Sequence, residues 1–316
     1  MLARRLASSP RRLLLSRQFC TPPPPAPPNV AVCAGAGAAG GAIGGMIGLG
    51  GGAVMVPLMT GFARMTQHQA VGTSSVAVAA VGMAGCASFG SAGAVDPLAA
   101  LSVAATAMFG ARVGARLTAR FDAVQLARAF ACFQLAVAPM VPVKGYLVRS
   151  AKGDGGAAAA PAAAAAAAPA APAAAPPSAV LLSASALAQQ AQERASELLL
   201  LAGIGIGCGL ASGMFGIGGG VVVTPSLCLL TDMPYACVLG TTLTSMVPPS
   251  IVSGLTHARL GNVVSAAALP LCAGSATGAF VGGQLAVRVD EEPLQLLFAV
   301  LIGAMGAQKL WSLRGK

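Results

Sequence analysis

The sequence predicts an all-α polytopic membrane protein of about eight transmembrane helices. They form two tandem four-segment repeats whose first helices are broken by glycine and proline. Composition supports the membrane assignment, because only 9% of the 316 residues are charged and 56% are hydrophobic. Soluble domains carry about 25% charged residues, so this chain could not cover a water-facing surface of its size. An internal repeat and two glycine triplets supply the rest of the prediction.

Residues 1–28 are predicted to be an organellar presequence followed by a proline-rich tail. Five of the 19 basic residues lie within the first 17 positions, and no acidic residue precedes Asp96. Arginine mixed with leucine and serine, without acids, is typical of a transit peptide. The segment Arg17-Gln18-Phe19-Cys20 resembles the mitochondrial processing pattern. We therefore expect the mitochondrial inner membrane, with a plastid membrane or an uncleaved basic tail as alternatives.

Two uncharged stretches, residues 29–63 and 198–231, are too long to be single straight helices across a bilayer. They contain 35 and 34 residues, which as one helix would measure about 50 Å, against about 30 Å for the hydrocarbon core. Glycine costs about 1 kcal/mol and proline about 3 kcal/mol in a helix interior. We predict that each helix breaks at its glycine triplet, which a proline follows five residues later: Gly50, Gly51, Gly52 and Pro57, then Gly218, Gly219, Gly220 and Pro225.

The remaining apolar segments complete two similar halves, residues 29–150 and 198–316. Between these halves, residues 151–197 are an alanine- and proline-rich linker with a lead-in helix. Four full spans per half would make the halves parallel, whereas one re-entrant segment per half would invert them, and both arrangements remain open. With eight full spans the basic residues divide eight against six between the two sides, which fixes no orientation. The segments are expected near 69–92, 97–119, 124–147, 236–258, 263–286 and 293–311.

A shift of 168 residues aligns the two halves without gaps. It aligns Gly45-Met46 with Gly213-Met214 and the first glycine triplet with the second triplet. It also matches Gly72-Thr73 with Gly240-Thr241. Duplicated membrane halves with broken helices at equivalent positions are typical of transporters whose substrate binds between the repeats. Helix N-termini at the breaks would offer N–H groups to an anion without a charged side chain. For Gly110, Gly114, Gly278 and Gly282, close helix packing is the favoured role.

The predicted substrate-binding residues are the two glycine triplets with their prolines and four hydroxyl residues: Thr73, Ser74, Thr241 and Thr242. A hydroxyl can donate to an oxyanion, although bonding to a carbonyl of its own helix is the alternative. His257 is a candidate for proton coupling. Arg112 is a candidate anion contact, with snorkelling to the membrane surface as the alternative.

Other classes of function find little support in the sequence. No basic helix is interleaved with aromatic residues, which argues against nucleic-acid binding. The eight cysteines are scattered singly, so we expect packing thiols and neither a metal nor a cofactor. No catalytic residues are expected, because Ser212 and Ser253 lack the glycine two positions earlier of an intramembrane serine protease. The main alternative to a transporter is a glycine-rich inner-membrane component of protein translocation or assembly. The sequence does not indicate an oligomeric state.

The repeated element resembles the TauE/SafE family of sulfite exporter-like membrane permeases. In both halves Gly-x-Gly-Gly-Gly-x-x-x-x-Pro is followed by Gly-Thr-Ser or Gly-Thr-Thr, and later by Gly-x-Val, covering about 40–147 and 200–312. The resemblance implies a carrier for a small inorganic or organosulfur anion, chiefly sulfite, thiosulfate or an organosulfonate, with a proton as the candidate coupling ion. The sequence departs from the family pattern at Gly240-Thr241-Thr242 and in its long linker.

Overall fold

The computed structural model describes residues 29–140, 192, 195–231 and 233–313. All regular structure in these ranges is helical. The predicted presequence, almost all of the linker and the end of segment 124–147 lie outside them. The described helices are α1 (Val30–Ile47), α2 (Gly52–Gly61), α3 (Gln67–Ser91), α4 (Pro97–Thr118), α5 (Ala123–Val137), α6 (Ala195–Phe215), α7 (Gly220–Leu230), α8 (Tyr235–Arg259), α9 (Ser265–Ala286) and α10 (Glu291–Leu313).

Seven of these helices are long and apolar enough to cross a membrane, which confirms the polytopic all-α prediction. The shorter ones are α2, α5 and α7. Residues next to the helix starts are those that cap helices well. Thr66 forms a capping box with Gln69 at the start of α3, and the Asp96 side chain accepts from two N–H groups of α4. At the start of α5 the backbone N–H of Asp122 donates to Gln125 Oε1 at 3.2 Å, as in a capping box.

The helices break at the glycine triplets, as predicted. α1 ends at Ile47 and α2 begins at Gly52, and between them Gly48, Gly50 and Gly51 have φ angles of 72°, 73° and 75°. The second half repeats this pattern with φ angles of 67°, 80° and 81° at Gly216, Gly218 and Gly219. Glycine adopts this left-handed conformation without the steric cost that a Cβ atom brings, so it ends the helix at both places.

The chain reverses direction at each break. A Cβ atom placed on Gly40 would lie 2.6 Å from Cγ of Met55 and 3.3 Å from the carbonyl oxygen of Gly51. Eleven residues of continuing helix would instead separate Gly40 from Gly51 by about 16 Å. The matching position in the second half behaves alike, because a Cβ atom on Gly219 would lie 3.0 Å from the carbonyl oxygen of Cys208. Helices α1 and α2 therefore form a hairpin, and so do α6 and α7.

The hairpins invert the two halves relative to each other. α8 and α9 begin 168 residues after α3 and α4. The equivalent helices α3 and α8 cross antiparallel, since Ser253 donates to Ser75 at 3.2 Å while Gly82 packs near Leu243. A hairpin returns to the side on which it began, so each half crosses the membrane an odd number of times. Of the two arrangements that the sequence left open, the structure therefore has the inverted one, with a re-entrant hairpin in each half.

The predicted packing glycines lie where helices of opposite halves run parallel in close contact. Gly110 and Gly114 of α4 rest on the backbone of α6 near Leu210, and Gly278 and Gly282 of α9 rest on the backbone of α1 near Ala42. A Cβ atom at any of the four would overlap a backbone atom of the neighbouring helix. Their predicted packing role is confirmed.

Charge is distributed unequally between the two sides of the membrane. The N-terminal side is where α1, α3, α5 and α9 begin and where α2, α4, α8 and α10 end. Of the eight described basic residues only Arg288 lies on the opposite side, and of the six described acidic residues only Asp122 lies on the N-terminal side. The division expected for eight full spans counted fourteen basic residues, six of which lie outside the described ranges. For the described ones the sides differ from that expectation, because α10 ends on the side opposite to the start of α6. The basic residues of the N-terminal side are Arg64, Arg112, Arg116, Arg120, Arg128, Arg259 and Lys309.

Candidate functional site: the paired helix breaks

The two breaks meet in the protein core. A Cβ atom on Gly52 would lie 2.6 Å from Cα of Ile217, and one on Gly220 would overlap the carbonyl oxygen of Gly48. The start of each short helix thus lies against the loop of the opposite hairpin. Val78 and Met246, which are 168 residues apart, pack on both Gly50 and Gly218. All these residues are buried.

Backbone N–H groups at the start of α2 and α7 have no hydrogen-bond partner in the described part of the chain. In α2 the first donors to the Gly51 carbonyl are Val54 at 3.0 Å and Met55 at 2.9 Å. The N–H groups ahead of them, on Gly51, Gly52 and Ala53, are the ones that an α-helix leaves unpaired. The equivalent groups in α7 belong to Gly219, Gly220 and Val221. Six buried donors therefore lie at the starts of the two short helices.

The two break carbonyls that contact the opposite half do have donors. Ser74 Oγ lies 3.0 Å from two carbonyl oxygens, that of Gly216 and that of Val71 in its own helix, and Thr224 Oγ1 donates to the carbonyl of Gly48 at 3.2 Å. Thr242 Oγ1 lies 3.5 Å from Thr224 Oγ1. The bonds to Gly216 and Gly48 each join a hydroxyl of one half to a break carbonyl of the other half, and Thr242 lies beside Thr224 within the second half. No Asp, Glu, Lys or Arg is buried among the described residues, so backbone dipoles dominate the local field.

The four predicted hydroxyl residues divide into two pairs. Ser74 and Thr242 lie beside the breaks, as described above. Thr73 Oγ1 accepts from the backbone N–H of Val264 at 3.1 Å, and Thr241 Oγ1 accepts from that of Asp96 at 2.9 Å. Those two N–H groups belong to the N-cap residues of α9 and α4. The structure thus places Thr73 and Thr241 at contacts between helices of opposite halves.

The prolines and the arginine lie further from the breaks. Pro57 and Pro225 each occupy the sixth position of their short helix, so the glycines alone make the chain reverse. Arg112 lies on the exposed face of α4 together with Arg116, and Arg120, also exposed, follows the end of this helix. The structure does not bring Arg112 to the paired breaks, and its position fits the snorkelling alternative.

His257 connects the end of α8 to the end of α6. Its Nε2 lies 2.8 Å from the carbonyl oxygen of Gly213, and its Nδ1 lies 3.3 Å from Nδ2 of Asn262. A neutral imidazole that donates from Nε2 and accepts at Nδ1 satisfies both contacts. The ring is fully buried, and Gly213 is three residues ahead of the second break. The geometry therefore favours a positioning role for His257.

We expect the substitution His257→Phe to lower stability without changing how transport depends on pH. Phe89 occupies the equivalent position in the first half, which shows that a ring of this size fits the repeat. The Gly213 carbonyl would lose its short hydrogen bond from His257 and keep only the longer one from Thr118, at 3.5 Å. An unsatisfied buried acceptor costs about 1–3 kcal/mol. Thermal unfolding in detergent and the pH profile of flux in proteoliposomes are the measurements. A flattened pH profile would instead identify His257 as the proton carrier.

Sequence reasoning missed Thr224, Val78 and Met246. Thr224 is one of two hydroxyl residues in an otherwise apolar helix and stands directly before Pro225, which was an available signal. Val78 and Met246 align under the 168-residue shift, but aliphatic and thioether side chains are ordinary in membrane helices. Only their packing on the breaks distinguishes them.

Two inverted halves that meet at paired helix breaks define the architecture of secondary membrane transporters. The sequence profile of the family described as Sulfite exporter TauE/SafE matches residues 2–140 and 153–309. The chain belongs to this family.

Curated relatives carry the description "Probable membrane transporter protein". One from Xylella fastidiosa (strain 9a5c) is 29% identical over 126 residues, which is 39% of this chain and 48% of the relative. One from Haemophilus influenzae (strain ATCC 51907 / DSM 11121 / KW20 / Rd) is 32% identical over 124 residues, 37% of this chain and 47% of the relative. The chain thus spans about half the length of the curated relatives it matches. No solved structure matches it significantly.

Proposed function

We propose that the protein is a secondary transporter of small anions and that the anion binds at the N-termini of α2 and α7. The six buried N–H groups of the paired breaks carry this proposal. In a membrane interior an unpaired backbone donor costs several kcal/mol unless water, protein or substrate satisfies it. Two helix N-termini together add about one positive charge, which is the complement of an anion.

The polarity of the breaks favours an anion over a cation. A cation would need carbonyl or carboxylate oxygens. Here the carbonyl of Gly216 accepts from Ser74 and that of Gly48 accepts from Thr224, and the N–H groups at the starts of both short helices are unpaired. The buried described residues include no carboxylate. An anion with several acceptor oxygens could use both sets of N–H groups at once.

Sulfite and related sulfur-containing anions are the substrate class that we assign to this site. The family is described as a sulfite exporter family, and such anions present several acceptor oxygens. The proposed activity is movement of the anion without a chemical reaction, so no catalytic residue or cofactor is assigned. A proton is the candidate coupling ion, because an anion can be moved together with a neutralising charge.

Alternating access would proceed by a relative movement of the two halves. The contacts of Gly52 with Gly216 and of Gly220 with Gly48 hold the hairpins together, and Val78 and Met246 fill the space against Gly50 and Gly218. Rocking one half against the other would expose the N–H groups first to one side and then to the other. The inverted arrangement makes the two open states structurally similar.

Flux measurements in proteoliposomes test this proposal. We expect saturable uptake of labelled sulfite, thiosulfate or taurine, with competition among the anions that are carried, and no uptake of choline. A translocation or assembly component would give no small-anion flux and would co-purify with partner proteins. Absence of flux for all three anions would overturn the proposal.

We further infer that the N-terminal side faces the mitochondrial matrix. Seven of the eight described basic residues lie on that side, and positively charged residues are retained on the inner side of a membrane. In a chain whose native cysteines are replaced, Arg64→Cys should react with an impermeant maleimide only after the inner membrane is opened. Arg288→Cys should react in intact mitoplasts. The reverse pattern would contradict this orientation.

Residues 1–28 supply the proposed mitochondrial address. Their arginine-rich, acid-free composition supports it, although the family profile also begins at residue 2. A reporter fused to residues 1–28 should enter mitochondria, and Arg4, Arg5, Arg11 and Arg12 changed together to Gln should abolish this import. Import into plastids, or none at all, would contradict the assignment.

A further inference from the structure

The exposed face of α4 carries two arginines near its end on the N-terminal side. Arg112 and Arg116 are one helical turn apart, and both are exposed. Arg112 lies six residues before the last residue of the helix, Thr118, which corresponds to about 9 Å along the helix axis. Its backbone is therefore inside the span, and its guanidinium group reaches the lipid headgroups by extending along the helix surface.

Exposed apolar side chains precede these arginines on the same face of α4. Leu101, Met108 and Phe109 are 65%, 38% and 69% exposed. Met108 lies seven residues after Leu101 and four before Arg112, which in turn lies four before Arg116. Residues at this spacing share one face of a helix. The face is therefore apolar toward the membrane centre and cationic toward the N-terminal side, which is the pattern of a phospholipid in that leaflet.

The two guanidinium groups have no hydrogen-bond or ion-pair partner in the described part of the chain. Asp122 is the one described acidic residue on this side, and it lies at the start of α5, beyond the end of α4. A guanidinium group donates hydrogen bonds and accepts none, and its planar fork matches the oxygens of a phosphate. Arg112 and Arg116 thus form an uncompensated cationic pair that suits a phosphate group.

The equivalent face of the second half lacks this pair. Under the 168-residue shift Phe280 takes the place of Arg112, and Gln284 takes that of Arg116. Phe280 is 47% exposed, so this position faces outward in both halves. An outward position in the repeat therefore does not itself require arginine. Because the halves are inverted, the cationic pair is present in one leaflet and absent from the equivalent place in the other.

We propose that the end of α4 binds an anionic phospholipid of the N-terminal leaflet, with its phosphate at Arg112 and Arg116 and its acyl chains along Met108 and Phe109. A zwitterionic lipid fits less well, because its own cation would approach two guanidinium groups. A free anion would use only the cationic end of the face, whereas a lipid matches both parts. The inference goes beyond the proposed function and does not depend on which substrate is carried.

Native mass spectrometry of the purified full chain tests the inference. Delipidated protein in detergent is mixed with equal amounts of phosphatidylglycerol and phosphatidylcholine that have the same acyl chains. We expect the wild type to retain phosphatidylglycerol preferentially. The double variant Arg112→Phe with Arg116→Gln gives this face the residues of the second half. Its affinity for phosphatidylglycerol should fall roughly 30-fold, about fivefold for each arginine.

The matched control is Arg64→Gln with Arg128→Gln, which removes two exposed basic residues of the same side that are not on α4. It should bind phosphatidylglycerol like the wild type. Thermal unfolding in detergent separates lipid binding from stability, because each protein is compared with itself. Phosphatidylglycerol should raise the Tm of the wild type and of the control, and it should leave the Tm of the α4 double variant nearly unchanged.

Equal affinity of the wild type and the α4 double variant for phosphatidylglycerol would overturn the inference, and so would equal retention of both lipids by the wild type. Release of phosphatidylglycerol by added sulfite or inorganic phosphate would overturn it and assign the arginines to a free anion. A smaller oligomer of the double variant in the same spectra, with unchanged lipid binding, would overturn it as well and identify the face as a contact between copies of the chain.

Discussion

The substitutions Gly51→Leu and Gly219→Leu are each expected to abolish anion flux. Both residues have φ angles in the left-handed region, 75° and 81°, which a leucine adopts only at a cost of about 1–2 kcal/mol. The side chain would also collide with the first arm of its own hairpin, at Gly40 or at Cys208. The N-terminus of the short helix would be displaced, and with it the three N–H groups proposed to hold the anion.

Two glycines of the same hairpins provide matched controls. Gly35 of α1 and Gly207 of α6 have no atom within 4 Å of an added Cβ. Gly35→Leu and Gly207→Leu should therefore keep flux close to the wild-type value. Flux should be normalised to the amount of monodisperse protein in the liposomes. Undiminished transport by both Gly51→Leu and Gly219→Leu would refute the assignment of the site.

The double variant Ser74→Ala with Thr224→Val is expected to reduce flux at least about 30-fold. Each hydroxyl donates to a buried carbonyl of the opposite break, on Gly216 and Gly48. Leaving a buried acceptor unsatisfied costs about 1–3 kcal/mol, which for two acceptors corresponds to a factor of at least about 30. Each single variant should show a smaller loss, so flux in all three proteins is the measurement.

The control for the hydroxyl residues is Thr277→Val in α9. Thr277 is exposed and its hydroxyl donates only to carbonyls of its own helix, on Ala273 and Gly274. It should transport like wild type. If the double variant also transports normally, the bonds between the halves do not position the breaks.

Much of the fold was predictable because its signals are local. Three consecutive glycines strongly disfavour a continuous helix, and both breaks in the structure lie at the triplets, residues 50–52 and 218–220. The spacing of Gly110 and Gly114 likewise placed a helix contact correctly. Apolar length between charges located five of the remaining helices to within two residues, since a bilayer requires such a length. The sixth, expected at 124–147, is described only as α5, which ends at Val137.

The direction of the chain after each break was not predictable. A glycine break permits either a kinked span or a hairpin, and the choice depends on whether Met55 packs against Gly40. That contact joins residues on two different helices and leaves no pattern in the sequence. Since the direction was unknown, the sides of the charged residues were unknown as well, and the basic N-terminal side became visible only with the hairpins in place.

The candidate site was predicted in its backbone and less well in its side chains. Periodicity and spacing identified the glycines, because backbone conformation depends on them. Thr73 and Thr241 sit next in sequence to Ser74 and Thr242, yet the helix turns them toward the capped ends of α9 and α4. One residue along a helix rotates a side chain by about 100°, so adjacent hydroxyls cannot share one site. Thr224, which donates to the Gly48 carbonyl, belongs to the opposite half and lies 176 residues further along the sequence.

The most direct measurement is a structure of the protein saturated with thiosulfate, whose sulfur atoms are easily located. We expect the anion between the hairpins, with its acceptor atoms at hydrogen-bond distance, about 2.7–3.2 Å for oxygen and somewhat longer for sulfur, from the backbone nitrogens of Gly52 and Gly220 or their immediate neighbours. Anion density elsewhere in the protein, with both helix starts unbound at saturating anion, would contradict the claim that the paired breaks hold the substrate.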